Sequence, residues 1–270
     1  NTVDAVISLL AALRAGLVVA PLPLHWRQKN VIEALTRAGA KALIAGESFG
    51  GRSIGMEARD TAAELFALRF VFGLGDEVED GLMELEQILA DLPDDMEPAP
   101  VRRDPNAADH VATLTWTRST SGEPLPIARS HNQWIAAGLM PYLELSLPQA
   151  PVFVQPYALT GMAGLGAGLV PWLLSGGTLH LHHPASLRRL AGAPGARIYP
   201  GHGPMVDRPA EKIAEYLAHR VDREAQIRAA IDDGADSPQA IVRAVYTDVP
   251  EILHPAAERS VRAVLAMLID

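Results

Sequence analysis

The chain contains no cysteine, so disulfide bonds and thiolate chemistry are excluded. It has no excess of positive charge: the net charge is −9, which argues against nucleic-acid binding by general electrostatics. It also has no long uninterrupted apolar run. Glycines and Pro171 interrupt the apolar stretch 161–179, which predicts a buried helix and turn and not a membrane span. No charged leader precedes an apolar run and cleavage site, so we expect a cytoplasmic protein.

The order of patterns along the first two thirds of the chain predicts an α/β fold. At 270 residues the chain is long enough for one or two domains with buried cores. Short apolar runs that are typical of strands alternate with segments whose apolar residues have helical spacing, and this rhythm favours a parallel sheet. The predicted helices are 3–15, 29–38, 61–68, 130–139 and 162–174, and the predicted strands are 17–24, 41–45, 69–73, 111–117, 152–155 and 178–182.

The pattern changes in the last third of the chain. From Pro209 onward the spacing of apolar residues is almost wholly helical, with Pro209 suited to a first helical turn. Ser237 precedes Pro238 as a plausible helix cap, and Pro255 begins another helix. The sequence therefore predicts a small all-helical C-terminal region after the α/β part.

A short run of hydroxyl residues and glycine follows the predicted strand 111–117. In such a turn, backbone N–H groups approach a phosphate closely, and hydroxyl groups add further donors. The residues that this pattern singles out for nucleotide binding are Thr117, Ser119, Thr120, Ser121 and Gly122. The alternative is a polar turn between elements that binds nothing.

The loop and its surroundings resemble the acyl-CoA synthetase and adenylate-forming family. Further matches in the expected order are the run 9–23, Gly39 before a strand, the helix start at 129–132, Gln155-Pro156-Tyr157 and Gly176-Gly177-Thr178. The resemblance implies an αβα layered sheet like the N-terminal domain of the synthetases, over residues 1–187. It also implies ATP or AMP as cofactor and a small-molecule acyl substrate.

Three departures from the family pattern bear on activity. Ser119 stands where the family usually carries a glycine, Leu125 where it carries a lysine, and Ala158 where it carries a histidine. Loss of the lysine removes a cation that would face the triphosphate, and a side chain at position 119 opposes close backbone approach. We therefore expect a derivative of an acyl- or aryl-CoA synthetase that is impaired in full catalysis.

A second motif lies near the change in pattern. The segment Tyr199-Pro200-Gly201-His202-Gly203-Pro204, with the helical tail after it, resembles the C-terminal part of metallo-β-lactamase-fold hydrolases of the thioesterase and lactonase type. The resemblance covers 188–270 and implies that His202 is a metal ligand. One histidine does not hold zinc, because three or four ligands are needed. His180 and His182 point to one side of a predicted strand, and with His202 they form the candidate site for zinc or another divalent metal. The alternative is that they are partly exposed residues at a strand end.

Three functional hypotheses remain open from the sequence. The first is the impaired synthetase derivative, and the second is a metal-dependent hydrolase of esters, thioesters or lactones. The third is a non-catalytic scaffold, since incomplete domains expose sheet edges and apolar faces that favour a homo-oligomer. The two resemblances together predict a fusion of a truncated synthetase module, 1–187, with a truncated hydrolase segment, 188–270.

Overall fold

The computed structural model describes residues 1–93, 95–96, 106–120, 122–145, 147–181, 197–198 and 204–269. The chain divides into two compact units, Asn1–Ala185 and Ser186–Asp270. The first unit mixes helices and strands, and the described part of the second is mainly helical. The fold class is therefore α/β with helices near the C-terminus, as predicted from the sequence.

Two helices begin the first unit. Helix α1 spans Val3–Arg14 and is capped by the Thr2 hydroxyl, which accepts a hydrogen bond from the Ala5 amide. Helix α2 spans Gln28–Ala38 and ends at Gly39, whose φ of 62° is the left-handed conformation that favours glycine. Both helices were predicted.

The strand predicted over 17–24 is wrong. Only Val19 forms a bridge there, to Thr113. Pro21 and Pro23 have no backbone N–H to donate to a neighbouring strand, so the segment passes as a loop towards α2.

A parallel sheet follows α2, as the alternating pattern predicted. Strand β1 pairs in parallel with β4, and β4 pairs in parallel with β5. Helix α3 connects β1 to β4 and begins at Ile54, earlier than the predicted residue 61, because the Ser53 hydroxyl accepts from the Met56 amide and caps it there. The bounds are β1 Ala42–Ala45, β2 Ser48–Phe49, β3 Arg52–Ser53, α3 Ile54–Glu64, β4 Phe70–Gly73, β5 Met83–Glu84 and α4 Leu85–Ala90.

An antiparallel hairpin forms the middle of the unit. Strand β6, Val111–Arg118, pairs with β7, Pro124–Ser130. Helix α5, His131–Glu144, follows β7 directly. The sequence predicted β6 and α5, but it placed the polar loop directly before the helix and missed β7.

The remaining elements of the first unit are a second parallel strand pair and the helical segment between its strands. Strands β8, Val152–Gln155, and β9, Thr178–Leu181, pair in parallel. Between them lie a π-helix, Ala163–Leu169, and α6, Val170–Ser175. The core of this unit is formed by Val6, Ala112, Trp134, Leu159, Leu165 and Leu169.

The second unit has its own core, made by helices α7, Pro209–Asp232, α8, Pro238–Val245, and α9, His254–Ile269. Ser237 caps α8 by accepting from the Ala240 amide, as predicted. The core residues are Ile227, Ala230, Ile241, Val242, Ala257 and Val261. Across the described ranges, no helix is both long enough and apolar enough to cross a membrane.

Candidate functional site

The candidate nucleotide loop lies at the tip of the β6–β7 hairpin. Arg118 and Pro124 form the last pair of the ladder, and Ser119, Thr120, Gly122 and Glu123 belong to the turn between them. Gly122 has a φ of 87°, a left-handed conformation that favours glycine at this point of the turn. The ladder therefore sets the position of the loop from both sides.

Hydrogen bonds within the turn hold its shape. The Ser119 amide donates to the Glu123 carbonyl at 2.9 Å, and the Gly122 amide donates to the Ser119 carbonyl at 3.0 Å. The Glu123 amide donates to the Ser119 hydroxyl oxygen at 3.0 Å. Because these amides donate within the turn, they are not directed at an external phosphate. Ser119, at the position where the resemblance predicts a glycine, takes part in all three of these bonds.

An arginine and two tryptophans border the turn. The Arg118 Nη1 group donates to the Gly122 carbonyl at 3.1 Å. Its guanidinium carbon lies 6.0 Å from the centre of the Trp26 ring, within the range of a cation–π contact. Trp26 meets Trp116 edge to face, with ring centroids 5.7 Å apart. Among the described residues, the buried Trp116 indole N–H finds no hydrogen-bond partner.

A salt bridge ties the turn to α2. The Arg37 Nη2 atom lies 3.0 Å from a Glu123 carboxylate oxygen and 2.9 Å from one of Glu33. The hydrogen bond from Arg37 to Glu33, followed by the charges of Glu33 and Glu123, raises the pKa of the guanidinium. The negative charge of Glu123 at the turn is therefore offset by Arg37.

The structure brings most of the predicted nucleotide-binding residues to one place. Thr117 and Thr120 are exposed, and Ser119 and Gly122 are half-buried, all at the hairpin tip. Ser121 lies outside the described residues. The side-chain donors at this turn are the exposed threonine hydroxyls and the Arg118 guanidinium, and fewer backbone amides point outward than in an open glycine-rich loop. The residues present thus fit a nucleotide through side-chain donors.

The predicted metal site is described only at His180. This residue is exposed on β9, while its neighbours Leu179 and Leu181 pack on the core of the first unit. His182 and His202 lie outside the described residues, so the three-histidine site stays a prediction. Within the described ranges, no group of three histidine, aspartate or glutamate side chains could hold a metal ion.

The sequence reasoning missed a groove at the opposite end of the hairpin. It has a volume of about 420 Å³ and runs past Asp109, Arg129 and the first turn of α5. The Asn132 amide donates to the Asp109 carboxylate at 2.7 Å on its wall. The groove and the turn lie at opposite ends of β7, and a strand of that length spans roughly 20 Å. The spacing Ser130-x-x-Gln133, typical of a capping box, was the available sequence signal for this helix start.

Comparison of the sequence with known families gives one match over nearly the whole chain. The profile of the AMP-binding enzyme family matches residues 1–261. This match extends well past residue 187, where the sequence reading ended the synthetase-like part.

Solved structures of adenylate-forming enzymes share the fold. The apo structure of MbtA from Mycobacterium smegmatis superposes with a TM-score of 0.59 at 19% identity, covering 71% of this chain and 34% of that chain. The o-succinylbenzoate CoA synthetase MenE from Bacillus subtilis, in complex with its acyl-adenylate intermediate, gives a TM-score of 0.53 at 17% identity. That match covers 70% of this chain and 43% of MenE. The chain thus spans less than half the length of either structure.

A second similarity is confined to a shorter stretch. The Beta-lactamase-like protein 2 homolog of Caenorhabditis elegans is 36% identical over 84 residues, which is 31% of this chain and 28% of that protein. The similarity covers only a small part of each protein.

Proposed function

Because this chain belongs to the AMP-binding enzyme family, we propose that it is a derivative of an acyl- or aryl-CoA synthetase, impaired in full catalysis. In this proposal, ATP or AMP binds at the tip of the β6–β7 hairpin, and a small-molecule acyl substrate binds weakly. The observation that carries the impairment is the turn itself, whose Ser119, Gly122 and Glu123 amides donate within the turn.

The physical reason concerns the charge and shape that a triphosphate needs. A phosphate loop stabilises negative charge with outward backbone amides and a nearby cation. In this turn, backbone amides donate hydrogen bonds within the turn itself. Leu125 supplies no charge at the position where the family carries lysine. Catalytic groups act as a set, so the loss of several of them removes most of the rate while binding persists.

The test combines ATP titration with ATP–pyrophosphate exchange across a panel of aliphatic and aromatic carboxylic acids. We expect measurable ATP binding and exchange close to background for every acid. Exchange at rates usual for synthetases would contradict the impairment, and the absence of ATP binding at millimolar concentration would contradict nucleotide binding.

A metal-dependent hydrolase of esters, thioesters or lactones is the second candidate. The similarity to the Caenorhabditis elegans protein over 84 residues supports it, as does the motif around His202. In this proposal the chain is a fusion, and His180, His182 and His202 hold zinc or another divalent metal. Elemental analysis of protein purified without added metal tests it, with His202→Ala as the matched variant. Near-stoichiometric metal that is lost in the variant supports hydrolysis, and metal-free wild-type protein rejects it.

A homo-oligomeric scaffold is the third candidate. Its support is the exposure of large apolar side chains, including Phe66 at 96% in the first unit and Ile252 at 86% in the second. In this proposal a second copy of the chain covers such side chains, as it would where exposed apolar residues form a contiguous patch. Light scattering coupled to size-exclusion chromatography measures the mass directly: a mass that is a multiple of 28.9 kDa supports the scaffold, and a monomer rejects it.

A further inference from the structure

Arg118 occupies a distinctive place at the hairpin tip. It is the last residue of β6 and is exposed, and its side chain turns back over the loop to donate to the Gly122 carbonyl at 3.1 Å. This bond uses one N–H group, and a guanidinium has several more to offer a ligand. The arginine is therefore held at the loop and retains donors for an anion.

The Arg118 guanidinium contacts the indole ring of Trp26. The indole ring is 4% exposed, and the guanidinium carbon lies 6.0 Å from its centre. A cation–π contact limits the orientations of an arginine side chain and so lowers the entropy that it loses on binding a ligand. The ring thus acts as a platform.

The platform is itself fixed by another arginine. Arg52 donates to the carbonyl of Leu24 at 2.9 Å and to that of Trp26 at 2.9 Å. Its guanidinium also pairs with the Glu57 carboxylate on α3, through a bond of 2.7 Å from Nε. The segment that carries Trp26 is therefore anchored to β3 and α3, although it has no regular secondary structure.

The charges around the turn leave Arg118 available for an anion. The carboxylate within the turn, that of Glu123, lies 3.0 Å from Arg37 on α2. Within the described residues, the bonds found for Arg118 are those to the Gly122 carbonyl and to the Trp26 ring, and neither neutralises its charge. The turn thus presents a cation at the end of β6 whose charge no described carboxylate pairs with.

We propose that Arg118, seated on Trp26, is the phosphate-binding cation of this loop and takes the phosphates of a nucleoside polyphosphate. The inference rests on the proposed function, which places a nucleotide at the hairpin tip. Phosphate charge is then bound by a side chain at the end of β6, because several backbone amides of the turn already donate hydrogen bonds within it. Trp26 and Arg52 are then positioning residues, because they act through Arg118.

The experiment measures binding of ATP, AMP, adenosine and inorganic tripolyphosphate by calorimetry to the full chain. Arg118→Ala is expected to lower the affinity for ATP and for tripolyphosphate about tenfold or more, since charge-assisted hydrogen bonds to phosphate are lost. The affinity for AMP should fall less, and the affinity for adenosine should equal that of the wild type, because the effect scales with phosphate charge. Arg118→Lys should recover part of the affinity. Arg14→Ala, which removes an exposed arginine at the end of α1, is the matched control and should change nothing.

The outcomes separate this inference from the proposed function. ATP binding by the wild type that is unchanged within twofold in Arg118→Ala overturns the inference alone. An equal loss for adenosine also overturns it, because the turn and not the charge would then be responsible. If the wild type binds tripolyphosphate through Arg118 but not ATP, Arg118 is a phosphate-binding cation, and its assignment to a nucleotide is overturned together with the nucleotide proposal. If it binds neither probe, both are overturned.

Discussion

At the scale of single residues, Leu125 gives the most direct test of the proposed impairment of the loop. Leu125 and Ile127 lie two positions apart on β7, face the same side of the strand and are 37% and 39% exposed. Leu125→Lys places a cation next to the turn and should strengthen ATP binding about tenfold. Ile127→Lys adds the same charge roughly 7 Å farther along the strand. Calorimetry should show little change in the ATP affinity of Ile127→Lys. An equal gain in affinity in both variants would indicate a general effect of added positive charge and not a cation at a specific position.

The residues of the loop show what sequence could and could not predict at this scale. The hydroxyl-and-glycine pattern singled out a segment that the structure places at a hairpin tip, with Thr117, Ser119, Thr120 and Gly122, and nucleotide binding by these residues stays a prediction. The role proposed for Arg118 was missed because it depends on Trp26, which lies more than ninety residues earlier and reaches the loop only through the fold. Contacts between distant segments leave no periodic or local signal in one sequence.

At the scale of elements, the start of α5 makes a prediction about stability. The Ser130 hydroxyl accepts from the Gln133 amide at 3.3 Å, and the Gln133 side-chain oxygen accepts from the Ser130 amide at 2.9 Å. Ser130→Ala breaks this reciprocal cap and should lower the free energy of unfolding by about 1 kcal/mol. Urea denaturation measures it. Ser48→Ala, at an exposed position of β2, should stay within about 0.5 kcal/mol, and a similar loss there would remove the capping explanation.

Elements with a strong local period were predicted well. Helices α1 and α2 and strands β1 and β4 match the sequence reading within a few residues, because helical spacing and short apolar runs are local properties. Strand β7 was missed because it contains Pro124 and Pro126, which are unusual within a strand. Strand β7 tolerates these prolines because it pairs with β6 along one edge, and the bridge from Val19 pairs with β6 and not with β7. The same rule applied to Pro21 and Pro23 would have removed the strand wrongly predicted there.

At the scale of the whole molecule, each compact unit has its own buried core. Val6, Trp134 and Leu169 belong to the core of the first unit, and Ile227, Val242 and Val261 belong to that of the second. The chain therefore has two separate hydrophobic clusters, and the predicted fusion of two modules at 187–188 stays a prediction. A cluster that is complete within one unit gives that unit a source of stability of its own. This makes independent unfolding of the two units a physical expectation.

Ile227 and Ile252 allow this expectation to be tested with matched substitutions. Ile227 is 0% exposed in the core of the second unit, whereas Ile252 is 86% exposed, so Ile227→Ala should cost about 2–5 kcal/mol and Ile252→Ala less than about 0.5 kcal/mol. The four tryptophans, Trp26, Trp116, Trp134 and Trp172, all lie in the first unit. Their fluorescence therefore follows that unit alone, while far-UV circular dichroism also follows α7, α8 and α9.

We expect Ile227→Ala to move part of the circular dichroism transition in urea to lower concentration and to leave the tryptophan fluorescence transition in place. Ile252→Ala should move neither and so controls for loss of an isoleucine side chain. If Ile227→Ala shifts both signals together, the units unfold as one cooperative body, and the second core stabilises the first through an interface. A truncated protein ending before the second unit would then lose stability, whereas independent transitions predict that its tryptophan signal is unchanged.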